Sequence, residues 1–366
     1  MIEQTPKRWL ADRTRDTLVV GTLSAAVLIA ASASSSADPI AKKIKADEQA
    51  TQAEALEKTP AKKLFGYQPE AAKLKARAIG FYSRGCLAGG QRLEPTGSAW
   101  QAMRLSRNRN WGHPVLISMV KKLATEAKAK DGWPGLLVGD LTQPRGGPML
   151  TGHASHQVGL DADIWLKPMP DRHLSYEDRE RISAVSMLKS RLDVNPETFT
   201  PKTVKLIKRA ASYPEVARVG VNPAIKVALC RANGGDAPWL RKVQGWRGHH
   251  YHMHIRLKCP ADSKAAGCKD QGPPSNTSCA YAEKWYARTK KAMENPKPRK
   301  PSKKKPAKKR KPKPPMTLAS LPKACRTVLA APASGGISEA IVLPDPKPGL
   351  LRQTAVQGRK LLRDSQ

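Results

Sequence analysis

The sequence predicts an α+β fold, in which a small antiparallel sheet is flanked by helices and long loops and is linked by disulfides. Strand and helix patterns are mixed along the 366 residues without a regular repeat, which favours an antiparallel sheet. Two segments, 160–166 and 251–257, place apolar residues at every second position, as strands with one buried face do. A hydrophobic content of 40% is enough for a core, so the chain is not predicted to be wholly disordered.

The N-terminus has the pattern of an export signal. Basic residues precede an apolar run, Leu18–Ala33, which at 16 residues is shorter than the roughly 20 needed to cross a bilayer. Small residues up to Ala37 offer cleavage sites, so 1–37 is predicted to be a signal peptide rather than a stable membrane anchor. Residues 38–75, rich in Ala, Lys and Glu, are expected to form a charged, solvated leader.

Residues 76–295 carry the regular patterns expected of a folded domain. Pro114 suits the first turn of a helix, and the apolar residues after it recur at helical spacing as far as a turn that begins near Asp131. The patterns that follow predict, in chain order, a strand at 135–141, a helix at 202–211, a strand at 216–221 and a helix at 223–232.

A basic, proline-rich segment follows this domain. Residues 296–315 hold eleven Lys and Arg, seven Pro and no acidic residue, so mutual repulsion and proline predict an extended linker. The formal charge of the chain is +35, which indicates a polyanionic partner. Because an export signal is present, we expect that partner to be the anionic cell envelope and not nucleic acid. Residues 316–366 form a C-terminal tail.

The chain has six cysteines, an even number that in an oxidising compartment predicts three disulfides. Fifteen pairings of six cysteines are possible, and spacing alone does not select among them. The ten-residue segment from Cys259 to Cys268, both included, is an easy local closure, and Cys325 is expected to tie the tail back to the folded body. The remaining three are Cys86, Cys230 and Cys279. No Cys-x-x-Cys spacing occurs, so a thiolate zinc site is not expected.

The segment "YHMHIRL" at 251–257 predicts a strand with two histidines on one face. Side chains alternate along a strand, so His252 and His254 share one face while Met253 and Ile255 face the core. A single histidine on a strand is more often a hydrogen-bonded structural residue. Six of the eight histidines, however, fall in 249–254 and in 153–156, which favours a metal site.

The segment "GHASHQVGLDADIWL" at 152–166 supplies further candidate ligands. Its second half alternates in the same way, with Asp161 and Asp163 on one face, and His156 stands just before the strand. Imidazole and carboxylate both bind zinc, and a catalytic zinc keeps three protein ligands and one open position. Two histidines and one aspartate from the two strands meet that requirement, although the aspartates could be ordinary solvated charges.

Longer strings carry a resemblance to a known family. His-x6-Asp followed much later by His-x-His resembles the metallopeptidase group of lysostaphin, the D-alanyl-D-alanine peptidases and the hedgehog domain. The strings "RNRNWGHP", "GHASHQVGLDADIW", "VNPAIK", "WLRKV" and "HMHIRLKCPADS" resemble the penicillin-insensitive murein endopeptidases. The resemblance covers roughly residues 80–279, and the cysteines fall where that family places disulfides.

The resemblance implies one zinc ion per chain. Position by position, it makes His156, Asp163 and His254 the zinc ligands and places His153 at or beside the metal, as a fourth ligand of a resting form. A second zinc is not predicted, because the segment 189–195 lacks the histidine that such a site would need.

The remaining site residues have supporting roles. The resemblance makes His252 the general base and His249 a second imidazole, which orients water or stabilises the oxyanion. His250 receives no role. For Asp161 we expect a hydrogen bond to a ligand or a loop.

The resemblance implies a periplasmic enzyme that hydrolyses peptidoglycan cross-links between D-alanine and meso-diaminopimelate without a serine nucleophile. A zinc D-alanyl-D-alanine carboxypeptidase with the same site is the alternative among enzymes. A wall-binding protein with a purely structural zinc is the alternative from another class, and the presence of both His252 and His249 argues against it. A nucleic-acid binder would rest on charge alone.

Overall fold

The computed structural model describes residues 39–296 and 314–335. The predicted signal peptide, most of the basic linker and residues 336–366 lie outside the described residues. The chain divides into two units, Met1–Thr51 and Gln52–Gln366, and within the first unit the described residues belong to one helix. Among the helices that can be described, none is long and apolar enough to cross a membrane.

The helices are given in chain order. They are α1 (Pro39–Lys58), α2 (Ala61–Gly66), α3 (Pro114–Asp131), α4 (Tyr176–Arg181), α5 (Pro201–Ser212), α6 (Pro223–Asn233), α7 (Ala261–Ala265), α8 (Cys279–Glu294) and α9 (Ala324–Ala330). The predicted helices at 114–131, 202–211 and 223–232 are confirmed as α3, α5 and α6.

The strands are short. They are β1 (Arg77–Phe81), β2 (Arg84–Ala88), β3 (Gln91–Arg92), β4 (Thr96–Gly97), β5 (Trp100–Ala102), β6 (Trp111–Gly112), β7 (Leu136–Val138), β8 (Asp161–Trp165), β9 (Val216–Val221), β10 (Val243–Gly245) and β11 (His252–Leu257). Strands β7, β8, β9 and β11 confirm the predicted strands, with β7 shorter than expected.

The α+β class is confirmed, but the central sheet differs from the small antiparallel sheet that the sequence predicts. It has seven strands in the order β10-β9-β11-β8-β7-β5-β4. Strand β11 pairs antiparallel with β8 and β9, whereas β10 pairs parallel with β9 and β5 pairs parallel with β7. The sheet is mixed because helices α3 and α6 form the connections from β5 to β7 and from β9 to β10, and a crossover of this kind returns the chain in the same direction.

Helix α3 shows how local sequence sets an element. The His113 side chain caps its first turn by accepting a hydrogen bond from the Val115 N–H at 3.3 Å, and Pro114 occupies the first helical position. Gly132 ends the helix with φ +68°, a left-handed conformation that glycine adopts without strain. The buried face of α3 packs against the sheet and joins the main core, with Leu116, Ile117, Met119, Val120 and Leu123 all at most 2% exposed.

The six cysteines form three disulfides. Cys259–Cys268 is the local closure that the spacing predicts. Cys325 is bonded to Cys86 on β2, which confirms that part of the tail is tied to the folded body. The third bond, Cys230–Cys279, joins α6 to α8.

A second, smaller core corrects the expectation of a wholly solvated leader over 38–75. Phe65 on α2 is fully buried with Ile79, Leu318 and Val328. The apolar residues Ala61, Leu64 and Phe65 of α2 are therefore packed, because residues of α9 and of the hairpin β1–β2 cover them, while the lysines between them stay exposed. The residues of α1 whose burial is described remain mostly exposed, as expected for a solvated helix.

The disulfides should differ in their contribution to stability. Replacing both cysteines of the Cys86–Cys325 pair by alanine frees a loop of 239 residues, against 9 for Cys259–Cys268. In the loop-entropy account the free energy of unfolding falls by about 5 and about 3 kcal/mol respectively. Denaturant unfolding of the two double variants tests the order, and an equal loss in both would contradict it.

Candidate metal centre

Strands β8 and β11 bring the two histidine-rich segments together. They are neighbours in the sheet, and their register sets His254 opposite Asp163 and His252 opposite Trp165. Met253 and Ile255 lie in the core, as the alternation predicts. The other face is covered as well, since His252 is 7% and His254 3% exposed. The site is therefore set into the body of the domain.

His156 reaches the group from the loop before β8. Its φ of +63° is the left-handed conformation that non-glycine residues rarely adopt, and its side chain is fully buried. Its backbone N–H donates to Asp161 Oδ2 at 2.9 Å, and its Nδ1–H donates to the Leu141 carbonyl. Because Nδ1 carries the proton in this bond, the lone pair of the neutral ring is on Nε2.

Two other imidazoles have their tautomers set by carboxylates. His254 Nε2–H donates to Asp161 Oδ1 at 3.1 Å, which leaves the lone pair on Nδ1. His153 Nε2–H donates to Asp140 Oδ2 at 3.0 Å, which also leaves its lone pair on Nδ1. Asp140 is buried and is also paired with Arg109 at 2.9 Å and with Arg107 at 3.2 Å.

The free nitrogen atoms converge on Asp163. His254 Nδ1 lies 3.0 Å and His156 Nε2 3.5 Å from Asp163 Oδ1, and the two nitrogens are 3.2 Å apart. Ligands about 2.0–2.1 Å from a tetrahedral zinc lie about 3.3 Å apart, so these three atoms have the spacing of one face of that tetrahedron. The ligand atoms of His153, His156 and Asp163 also lie within 4.8 Å of one another.

The three converging ligand atoms suit a bound cation. Asp163 Oδ1 is buried and has no hydrogen-bond partner within the described parts of the chain, although two nitrogens face it. In the tautomers just described, these two nitrogens present lone pairs rather than N–H groups. His156 Nε2, His254 Nδ1 and Asp163 Oδ1 are therefore all acceptors. Buried acceptors at this spacing repel one another unless a positive charge lies between them.

The pKa shifts of Asp163 and His254 also indicate that positive charge is favoured at this site. Burial alone would raise the pKa of Asp163, but the neighbouring His252 and His156 hold it well below its usual range. Burial alone would lower the pKa of His254, but Asp161 and Asp163 raise it. Both shifts have the same cause, which is the concentration of carboxylate and imidazole groups in a buried space.

His252 and His249 lie beside the converging atoms. His252 Nε2 is 3.6 Å from Asp163 Oδ2, and its Nδ1 is buried without a hydrogen-bond partner among the described residues. Burial lowers the pKa of His252 to about 4, so its ring is neutral at ordinary pH. The His249 ring packs 4.9 Å from that of His252, and its Nδ1–H donates to the Arg247 carbonyl at 2.9 Å.

Every residue that the sequence assigned to the site lies in this group: His153, His156, Asp161, Asp163, His249, His252 and His254. His250, which received no role, instead has its Nδ1 2.9 Å from Ser186 Oγ. Three contributors had no role in the sequence analysis, namely Asp140, Trp246 and Arg256. Asp140, an acidic residue just after a buried strand, was the easiest of them to detect.

Trp246 lies against the site because of a glycine. Its ring centroid is 5.2 Å from those of both His249 and His254. It crosses β9 at Gly220, the residue paired with His254, where a Cβ atom would lie 2.2 Å from Trp246 Cε3. Only glycine leaves room for the indole at that position.

A family model for penicillin-insensitive murein endopeptidases matches residues 78–330. The chain belongs to this family. The match continues beyond residue 295, where the sequence analysis placed the end of the catalytic domain, and includes α9 with Cys325.

Individual relatives agree with this assignment. A Haemophilus influenzae protein named penicillin-insensitive murein endopeptidase is 43% identical over 229 residues, which cover 62% of this chain and 78% of that protein. A protein of the same name from Pectobacterium atrosepticum is 40% identical over 228 residues, covering 62% and 80%. The chain is thus a murein endopeptidase, a peptidoglycan-cleaving enzyme of a metallopeptidase family, with a candidate metal site at His153, His156 and Asp163.

Replacing Gly220 by alanine should displace Trp246 and disturb the murein endopeptidase site. Overpacking of this kind lowers the free energy of unfolding by about 1–3 kcal/mol. We expect Gly220→Ala also to reduce muropeptide release, measured together with the unfolding midpoint. Gly272→Ala is the control, because a Cβ there has no neighbour within 4 Å. Unchanged activity in Gly220→Ala would show that the indole does not shape the site.

Proposed function

We propose that this murein endopeptidase is an exported zinc enzyme that hydrolyses the peptide bond between D-alanine and meso-diaminopimelate in peptidoglycan cross-links. The observation that carries the proposal is the convergence of His156 Nε2, Asp163 Oδ1 and His254 Nδ1 at 3.0–3.5 Å beside a neutral His252. The cross-link type comes from the family resemblance.

One zinc ion would be held by His156, Asp163 and His254. Nitrogen and carboxylate ligands in a tetrahedral arrangement suit zinc, and three protein ligands leave one position open. His153 is the candidate for that position in a resting enzyme, because its Nδ1 lies 3.6 Å from Asp163 Oδ2. When bound, the metal supplies Lewis-acid activation of a water molecule and of the scissile carbonyl.

His252 would act as the general base. Its buried ring is neutral, so one of its nitrogens carries the lone pair that accepts a proton: either Nδ1, which has no hydrogen-bond partner among the described residues, or Nε2, 3.6 Å from Asp163. His249 is half-buried, and burial lowers its pKa, so its ring is neutral as well. Because His249 Nδ1–H donates to the Arg247 carbonyl, its Nε2 can only accept, which suits orientation of water better than stabilisation of an oxyanion.

Asp161 would hold the ligands in place. One of its oxygens accepts from the His254 ring and the other from the His156 backbone, so a single carboxylate orients one residue of β11 and one residue of the loop before β8. Its pKa is lowered because Arg256 and His254 outweigh the effect of burial, which keeps it ionised as an acceptor.

The domain layout supports activity at the cell wall. We propose a cleaved signal at 1–37, a leader at 38–75 of which the part around Phe65 joins the smaller core, a catalytic domain that begins at 76, a basic linker at 296–315 that is attracted to the anionic envelope, and a tail at 316–366. Pairing of all six cysteines in disulfides suits an oxidising compartment such as the periplasm.

Digestion of purified cross-linked muropeptide dimers tests this function. We expect conversion of dimer to monomer, loss of this activity with a chelator, and its recovery on adding Zn²⁺. His254→Ala should lose both zinc and activity, because it removes a ligand. Trimming of monomeric pentapeptides without cleavage of dimers would instead indicate a carboxypeptidase, and zinc binding without any hydrolysis would indicate a wall-binding protein.

Replacing His252 by alanine should separate catalysis from metal binding. We expect hydrolysis to fall by about 10²–10⁴-fold, the usual contribution of a general base, while one zinc per chain is retained. Measured zinc content and the rate of dimer cleavage give the two quantities. His250→Ala is the matched control, because His250 lies two residues away and its ring contacts Ser186, so the rate of this variant should stay near that of the unaltered enzyme. Loss of zinc in His252→Ala would make His252 a ligand.

A further inference from the structure

Arg256 binds the carboxylate of Asp161, which orients the candidate metal ligands. It lies near the end of β11, is 6% exposed, and donates from Nε to Asp161 Oδ1 at 2.7 Å and from Nη2 to Asp161 Oδ2 at 3.2 Å. The same two oxygens accept from the His254 ring at 3.1 Å and from the His156 N–H at 2.9 Å. Each oxygen of Asp161 therefore links the guanidinium to one candidate zinc ligand.

The guanidinium is itself held on several sides. It lies 4.3 Å from the centroid of the Tyr82 ring and 6.0 Å from that of Trp246, and its Nη1 donates to Gln271 Oε1. Tyr82 is fixed in turn, because its hydroxyl donates to the Leu257 carbonyl at 2.6 Å. Arg256 is thus placed by contacts from separate parts of the chain, before any metal is considered.

We infer that Arg256 is a positioning residue that raises the affinity of the site for zinc by acting through Asp161. The inference rests on the proposed zinc site. The planar guanidinium makes two hydrogen bonds to the carboxylate and so fixes its plane. The ammonium group of a lysine is a point charge and would not fix that plane. With that plane fixed, Asp161 Oδ1 faces His254 Nε2, and His254 keeps its proton there and its lone pair on Nδ1 toward the metal.

A purely structural ion pair is the competing explanation, and another buried arginine allows the two to be separated. Arg179 is 2% exposed, and its guanidinium donates to the carbonyls of Leu174 and Ala102 at 3.0–3.1 Å. None of the hydrogen bonds found for it goes to a residue of the metal centre. Lysine at 179 should therefore cost stability without altering zinc affinity.

Zinc affinity of the full chain, measured by competition with a chromophoric chelator, tests the inference without using enzyme activity. We expect Arg256→Lys to weaken zinc binding by about 10–100-fold, as loss of a partner of a metal ligand does, and Arg179→Lys to leave it within about twofold. Gln271→Ala provides a milder second variant, which frees one end of the guanidinium, keeps its charge and should weaken zinc binding in the same direction.

A double-mutant cycle with Asp161→Asn identifies the route of the effect. If Arg256 acts through Asp161, Arg256→Lys should weaken zinc binding far less in the Asp161→Asn background than in the unaltered chain. Equal weakening in both backgrounds, or equal weakening by Arg179→Lys, would overturn the inference. If the unaltered chain binds Zn²⁺ and Arg256→Lys binds it as tightly, only this inference fails. If the unaltered chain binds no Zn²⁺, the proposed zinc site fails with it.

Discussion

The site depends on a single constraint, which is that three buried acceptor atoms face one another at 3.0–3.5 Å. Such an arrangement persists only if each imidazole is prevented from turning an N–H inward. The Leu141 carbonyl and Asp161 do this for His156 and His254 by accepting the proton on the far side of each ring. The metal site is therefore defined as much by its outer acceptors as by the ligand atoms themselves.

Two of the groups that accept hydrogen bonds from the imidazoles are buried carboxylates, and the fold compensates the negative charge of each one with an arginine. Asp161 and Asp140 are both buried, and a buried carboxylate is stable only when it is paired and hydrogen-bonded. Each has a buried arginine at 2.7–2.9 Å, Arg256 for the first and Arg109 for the second. The site thus lies between two carboxylate and guanidinium pairs, which keep the imidazoles oriented without leaving an uncompensated charge.

Much of the chemistry was accessible from sequence because it follows local rules. Alternation predicts β8 and β11 and places His252 and His254 on one face, and the helix α3 follows from spacing and Pro114. The parallel pairs of the sheet did not follow, because β5, β7 and β10 have three residues each and no detectable period. Arg256 and Trp246 were also missed, since their roles arise from contacts with Asp161 and Gly220, which are distant in sequence. The roles of individual site residues stay predictions until they are measured.

The bond between Cys86 and Cys325 links the site to an unexpected part of the chain. The hairpin β1–β2 supports the loop that carries His156, since the N–H of the next residue, Gln157, donates to the Tyr82 carbonyl at 3.1 Å. Residues of 318–329 cover the outer side of that hairpin, and Arg145 reaches the Val328 carbonyl at 2.9 Å. A growing polypeptide that has not yet reached residue 325 lacks both the cover and the bond. A centre that can cut the wall thereby depends on a segment that is synthesised after both of its histidine-rich segments, so that a chain truncated before residue 325 lacks this support.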